Sequence, residues 1–226
     1  MQLQEAIRTR HSTRQFLPAE VPVSILENAL QLATHSPSNS NTQPWRLFIV
    51  RGAALTRLSD KLHERASTAL SANEAPARAM TLPPGLQHYR SELGAQIYGV
   101  EGLGILRSDT AGHAGAVLRN YRFFGAPAAF IVCVRRDLLD AVEAAPLCVG
   151  MYLQTLLLAL TEAGVASCVQ IAIAAYPDVV RAEVGIPADL EVLCGVSVGY
   201  EDQAAKINHC RIGREAVGKT TVWVDE

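Results

Sequence analysis

Apolar positions change their spacing several times along the chain, and each change marks an element. A first helix is predicted over about Gln2 to Thr9, followed by an extended segment, Arg10 to Phe16. Ile25, Leu26, Ala29, Leu30 and Ala33 then recur at helical intervals, so a second helix should begin near Pro22, which is favourable at a first helical position. Ser24 and Glu27 offer an alternative capping box. The polar stretch SPSNSNTQP, Ser36 to Pro44, is rich in turn formers and should be a loop, and Trp45 to Val50 reads as a strand. A long helical excursion is expected over about 53–121, broken near Leu82-Pro83-Pro84-Gly85.

The second half alternates strands and helices. Ala128 to Val134, AAFIVCV, is an unbroken apolar run and predicts a strand buried on both faces. Leu147 to Ala163 is apolar on nearly every side and should be a helix buried in the core or in a subunit interface. It is short for a membrane span and carries Gln154, Thr155, Thr161 and Glu162. Gly164 suits its C-terminal stop. A short strand near Ala166 to Ile171, a helix from Pro177 to Val184 and a strand from Glu191 to Tyr200 follow. The tail from Gly218 to Val224 has strand character without a partner in sequence, so it should pair within the chain or cross to another subunit. No linker or repeat divides residues 1–226, which are expected to form a single domain.

Composition narrows the class. With 226 residues, 49% hydrophobic and 19% charged, the chain should fold around a substantial core. The formal net charge of −2 gives no bulk reason to expect nucleic acid. Five scattered cysteines without a CxxC pair read as reduced thiols, and the amino terminus lacks the apolar core of a secretory signal, so the expected location is the cytoplasm. No membrane association is expected. The six histidines show no HExxH or paired spacing, so no metal site is expected. GVEGLG at 99–104 has the wrong order for a dinucleotide fingerprint, and no GxSxG elbow occurs. Cys168 reads as a small buried thiol.

Two stretches carry candidate chemistry. In an extended segment alternate side chains share a face, so Arg10, Ser12 and Arg14 point one way, with His11 between them. Two guanidinia flanking a hydroxyl suit an anion, although charge alone favours a solvated basic turn at the end of the first helix. Arg211 and Arg214 form a second cluster which, if it met the first, would surround a phosphate. The loop holding Pro37, Ser38, Asn39, Asn41 and Gln43 offers uncharged donors and acceptors suited to a planar heterocycle, and equally to an Asx-rich turn bonding its own backbone.

RHSTRQF at 10–16, VP at 21–22 and SPSNSNTQPW at 36–45 together resemble the amino-terminal signature of the nitroreductase family. The resemblance continues through FFGAP at 123–127, GMYLQTLLLAL at 150–160, GIP at 185–187, CGVSVGY at 194–200 and the closing arginines. It implies an α+β three-layer sandwich, with a central mixed, mainly antiparallel sheet flanked by helices. The carboxy-terminal tail would be exchanged across a homodimer carrying two FMN sites at the interface.

In similar proteins, the segment matching Arg10, His11, Ser12 and Arg14 binds the phosphate, ribityl chain and pyrimidine edge of FMN. Residues matching Ser38, Asn39, Asn41 and Gln43 reach it in part from the partner subunit, and those matching Arg211 and Arg214 close over the phosphate. The stretch Val169-Gln170-Ile171-Ala172 would pass the reactive flavin N5 with its backbone N–H groups. Tyr98, Phe123 and Phe124 are candidates to line a flat substrate pocket, although the Phe pair reads more simply as core.

The implied activity is a ping-pong NAD(P)H oxidoreductase acting on nitroaromatics, quinones or other small-molecule electron acceptors. A flavin-dependent dehydrogenase, a reductive dehalogenase or a non-catalytic FMN-binding protein on the same scaffold are the alternatives. Two departures stand out. Cys148 occupies a place where similar proteins often carry an acid. Ala172-Ile173 stands where some branches place Glu-Gly beside N5, which points toward nitrobenzoate-reductase-like members.

Overall fold

The computed structural model describes residues 1–74 and 81–225. Four strands form one sheet: β1 (Trp45–Arg51), β2 (Ala128–Arg135), β3 (Ala166–Gln170) and β4 (Leu190–Gly199). Their order is β1-β2-β4-β3, and all three pairings are antiparallel. The one parallel contribution is a single bridge from Ser12 to Ser167, which lays the first extended segment beside β3. Phe16 closes that segment with an antiparallel bridge to Glu201.

The unbroken apolar run at 128–134 has its cause in two cores. Ala129, Ile131 and Cys133 face one layer with Leu55, Leu58 and Leu62 of α3 (Gly52–Ser71) and Val180 of α8 (Pro177–Val184). Ala128, Phe130, Val132 and Val134 face the other, with Leu26, Ala29 and Ala33 of α2 (Val23–Ala33) and Tyr152, Leu156 and Leu160 of α7 (Ala145–Glu162). A strand covered on both faces has no polar side to show, so its alternation disappears. The result is an α+β sandwich with helices on both sides of the sheet.

α7 is long and apolar enough by length and composition to cross a membrane, yet its inner side packs on the sheet and on α2. Of its residues 39% are buried, Met151, Leu153 and Ala159 are partly buried against the same core, and Leu147 is the large apolar side chain it leaves exposed. Gly164 follows with φ of +74°, the left-handed stop that glycine accepts freely. α1 (Leu3–Thr9) rests on α7. All five cysteines are free, and among the described residues no group of three potential ligands could hold a metal.

Several local expectations are corrected. Pro22 sits one place before α2, as its N-cap, and no side-chain cap forms, so the Ser24–Glu27 box is absent. The excursion over 53–121 resolves into α3, α4 (Gln87–Tyr98) and α5 (Thr110–Leu118), ending in a 3-10 stretch, Arg119–Gly125; residues 75–80 lie outside the described residues. A short helix α6 (Arg136–Ala141), not anticipated, follows β2. The carboxy-terminal tail forms no strand. It makes α9 (Val217–Thr220) and then leaves Val222, Trp223 and Val224 at least 81% exposed. A β-prone segment needs a strand edge to complete its hydrogen bonds, and none within the chain reaches it.

Candidate active site

The extended segment is held by main-chain and buried side-chain bonds on both sides. Thr13 N–H donates to Ser167 O at 3.1 Å. Arg14 and Gln15 N–H both donate to Oδ1 of Asn208, at 2.7 and 3.1 Å, and Asn208 Nδ2 returns bonds to Gln15 O and Asp202 O. Asn208 is fully buried. Gly199 lets Phe16 approach: a Cβ there would lie 2.6 Å from Pro127 Cδ and 3.1 Å from Phe16. The segment is therefore fixed before any ligand arrives.

With the backbone fixed, three of its side chains come within reach of one thiol. Burial raises the pKa of Cys168, and Arg14, a hydrogen bond from Ser12, and Arg10 each act in the opposite direction. Arg10, His11 and Arg211 also line one cavity of about 990 Å³, with Ala166, Ser167 and Glu201 on its walls. The early and late arginines meet there through Arg211. Arg214 does not line it, and its Nη1 bonds to its own Ile212 and Gly213 carbonyls.

His11 has both ring nitrogens in contact with acceptors, Nδ1 with Thr9 O at 2.9 Å and Nε2 with Glu201 at 3.0 Å. Among the described residues two buried side-chain hydroxyls lack a partner, Thr13 Oγ1 and Thr42 Oγ1. Thr13 lies on the wall of the arginine cavity, and Thr42 belongs to the amide loop. Cationic donors and an unpartnered hydroxyl beside β3 fit a phosphorylated flavin.

The stretch after β3 turns as a 3-10 helix, Ile171–Ala175. Val169 is half-buried, Gln170 buried, Ile171 exposed and Ala172 half-buried. Gln170 uses its side chain internally: Nε2 donates to Asn120 O at 2.7 Å and Oε1 accepts from Ser197. Its side chain is therefore not available to a ligand. Gly195 of β4 lets Ile173 seat the turn, since a Cβ there would lie 2.7 Å from Ile173 Cγ1.

The amide loop is anchored elsewhere. Asn39 N–H donates to Cys148 Sγ at 3.3 Å, so the thiol accepts a bond that an acid in that position would also accept. Ser36 bonds Thr155, and Trp45 stacks on Tyr152 at 4.6 Å. Ser38 Oγ accepts from Gln43 N–H. Pro37, Asn39, Asn41 and Gln43 are exposed, and Ser40, Asn41 and Gln43 adopt positive φ. This anchorage lies at the first half of α7, whereas Thr161 and Gly164 beside the arginines mark its other end. Thirteen helical residues separate Cys148 from Thr161, roughly 20 Å along the axis. One chain does not bring loop and arginines together.

Arg14 opens on a second cavity, of about 220 Å³, with Tyr98, Val117, Arg119, Asn120 and Phe124. Tyr98 is half-buried and meets His113 edge-on at 4.5 Å. Phe123 is wholly buried in the core and does not line the cavity. Both phenylalanines have positive φ, +48° and +54°, an unusual turn for bulky residues that aims Phe124 at Arg119. Arg119, Asn120 and Asn208 were not singled out from sequence.

A model of the nitroreductase family matches residues 7–200. The nitroreductase NfnB of Mycolicibacterium smegmatis is 37% identical over 215 residues, covering 95% of this chain and 89% of that protein. A 4-nitrobenzoate reductase of a Nocardioides species is 31% identical over 97% of this chain and 90% of its own length. The crystal structure of the FMN-dependent nitroreductase NfnB from Mycobacterium smegmatis in complex with NADPH superposes with a TM-score of 0.87 at 34% identity. It covers 98% of this chain and 97% of that one. Extended segment, open antiparallel sheet and matched sequence agree across nearly the whole length: the chain belongs to the nitroreductase family.

Proposed function

We propose that this protein is an FMN-dependent NAD(P)H oxidoreductase that reduces nitroaromatics, quinones or similar small electrophiles, working as a cytoplasmic homodimer with one domain per chain. The observation that carries the reading is the cavity beside β3 that Arg10, His11 and Arg211 line together. When bound, FMN supplies an N5 that accepts hydride from the nicotinamide and passes it to the acceptor. The chain's part is to hold and orient. Arg10, His11, Arg211 and Arg214 serve the phosphate. Ser12 and Arg14 serve the ribityl chain and pyrimidine edge. The backbone of Val169, Gln170, Ile171 and Ala172 serves the N5 side.

The amide loop completes this set from a second copy. It stands at the far end of α7 from its own arginines, so a twofold pairing of two copies along α7 would set each loop against the partner's site. The tail beyond α9 would exchange in the same interface. The names of the relatives support the cofactor and the substrate class: FMN-dependent, NADPH-complexed and nitrobenzoate-reducing proteins share this chain's length and fold.

Purified protein should be yellow, bleach on anaerobic NADPH or NADH addition, and recover colour with nitrobenzene or a quinone. Parallel double-reciprocal lines would establish the ping-pong order. Colourless protein that takes up no FMN would sink the proposal.

A further inference from the structure

We propose that Arg119 reads negative charge on the acceptor, so that small aromatic carboxylates are preferred over their neutral counterparts; this rests on the reductase reading above. Arg119 and Arg14 both line the cavity of about 220 Å³, whose walls otherwise include Tyr98, Val117, Asn120 and Phe124. No acidic residue lines it. Among the described residues no ion pair forms to either guanidinium. With Arg14 given to the flavin, Arg119 is the cation of this recess left without a charged partner, and a half-buried charge gains when an anion joins it.

Arg119 is half-used. Its Nη2 donates to Arg14 O at 2.6 Å and Gln15 Oε1 at 2.7 Å, both uncharged acceptors. No hydrogen bond engages its Nε or Nη1 among the described residues. Burial lowers its pKa from the ordinary arginine value, the sign of a guanidinium with no carboxylate to offset desolvation. Its carbon lies 5.9 Å from the centroid of Phe124, which fixes the plane of the fork. A planar donor fork beside aromatic walls complements a planar carboxylate attached to an aromatic ring. The volume suits a single substituted ring rather than a fused system.

The test compares 4-nitrobenzoate with 4-nitrobenzamide, equal in shape but not in charge. For the FMN-loaded enzyme, Arg119→Gln keeps a donor for Arg14 O while removing the charge. The kcat/KM ratio of benzoate to benzamide acceptor should fall at least tenfold, and Arg119→Lys should retain most of it. A ratio that stays within twofold, with both substrates losing equally, would mean that Arg119 only braces residues 14 and 15, and overturns the proposal. Should the variant fail to fold, calorimetric titration of the wild-type holoenzyme with benzoate and benzamide decides. Benzoate must bind at least tenfold more tightly; equal affinities overturn the proposal. Wild-type protein that reduces neither nitroarene removes the reductase reading and this subsite together, whereas a flat ratio removes the subsite alone.

Discussion

The backbone N–H of Arg14 donates to Oδ1 of Asn208 at 2.7 Å, tying together residues 194 positions apart. The same amide accepts from Gln15 N–H and donates to Gln15 O and Asp202 O. A primary amide carries two N–H donors and an oxygen that accepts twice, so one side chain can serve all four groups. Asn208→Ala leaves several buried main-chain groups without partners, each worth about 1–3 kcal/mol. Urea unfolding should therefore show a loss of about 3 kcal/mol, and FMN affinity should fall at least tenfold because residues 10–15 are no longer held. Unchanged stability with unchanged flavin binding would show that the segment is positioned by other contacts.

The arginines should separate by function in a second set of variants. Among the described residues the Arg14 side chain makes one hydrogen bond, from Nη1 to Ser12 O at 3.2 Å, so Arg14→Ala should cost the fold less than about 1 kcal/mol. It should nevertheless lose FMN, because its charge faces the proposed cofactor. Arg211→Ala, on the cavity wall, should weaken FMN at least tenfold, and more so at low salt. Arg214→Ala should do less, since that side chain bonds its own turn. Fluorescence titration of apoprotein with FMN measures all three. Equal flavin affinity in Arg14→Ala would mean that the phosphate and pyrimidine have been placed wrongly.

Gly195 gives a test of the turn after β3. An added Cβ would lie 2.7 Å from Cγ1 and 3.1 Å from Cβ of Ile173, which is fully buried and cannot swing aside. Overpacking of this kind costs about 1–3 kcal/mol. Gly195→Ala should lower the Tm and slow reduction of bound flavin by NADPH, because the turn from Ile171 must move. Adding Ile173→Ala removes the clashing atoms and should restore part of the reduction rate. A single variant with normal stopped-flow reduction would show that this turn tolerates displacement.

What sequence could reveal depended on how local each cause was. The strand at 128–134 was legible because double burial writes an unbroken apolar run. The Arg10–Arg14 segment was legible because alternation fixes its faces. Asn208 was not, for its importance lies in bonds to residues nearly 200 places away, and a lone asparagine after Ile207 carries no local signal. Arg119 and Asn120 were hidden inside a stretch read as generic helix. The nearest clue was the adjoining Phe123-Phe124-Gly125, whose three left-handed residues turn the chain back toward β2. The strand character of the tail finds no edge within its own chain, where Val222, Trp223 and Val224 stay exposed, which leaves the other expected course, across to a second subunit.

Buried thiols give the protein a sensitivity to alkali. Burial pushes Cys133 and Cys194 up to about 12 from an ordinary value of 9.0, and raises Cys168 in the same direction. Tyr121 is likewise pushed to about 12 by burial. Each folded pKa lies above its unfolded value, so the fold prefers the protonated form. That stability is complete below about pH 9 and is lost as pH rises toward 12, by up to about 1.4 kcal/mol per unit for each group. Cys133→Val with Cys194→Ala should flatten the decline seen in urea midpoints above pH 9. At pH 8 a thiol reagent should label Cys210 alone in the native protein, as it is the one cysteine not buried, and all five after unfolding. Rapid native labelling of more than one thiol would contradict the burial.

The tail offers the most direct probe of subunit assembly. Val222, Trp223 and Val224 are 85%, 81% and 82% exposed in the single chain, an apolar end with nothing of its own to cover it. α7 presents a second uncovered apolar spot at Leu147, 65% exposed. Two such surfaces on one chain are satisfied together if a second copy receives the tail. The chain has two tryptophans, and Trp45 is buried against Tyr152, so Trp45→Phe leaves Trp223 as sole reporter. Its emission should be blue-shifted at micromolar protein and move to the red on dilution, in step with the mass change seen by sedimentation. Deleting residues 217–226 should weaken the proposed dimer and release FMN, because the amide loop would then lose the partner site proposed for it. A Trp223 that emits as in urea-unfolded protein at every concentration, in a species that sediments as a dimer, would show that the tail stays in solvent and that α7 alone makes the contact.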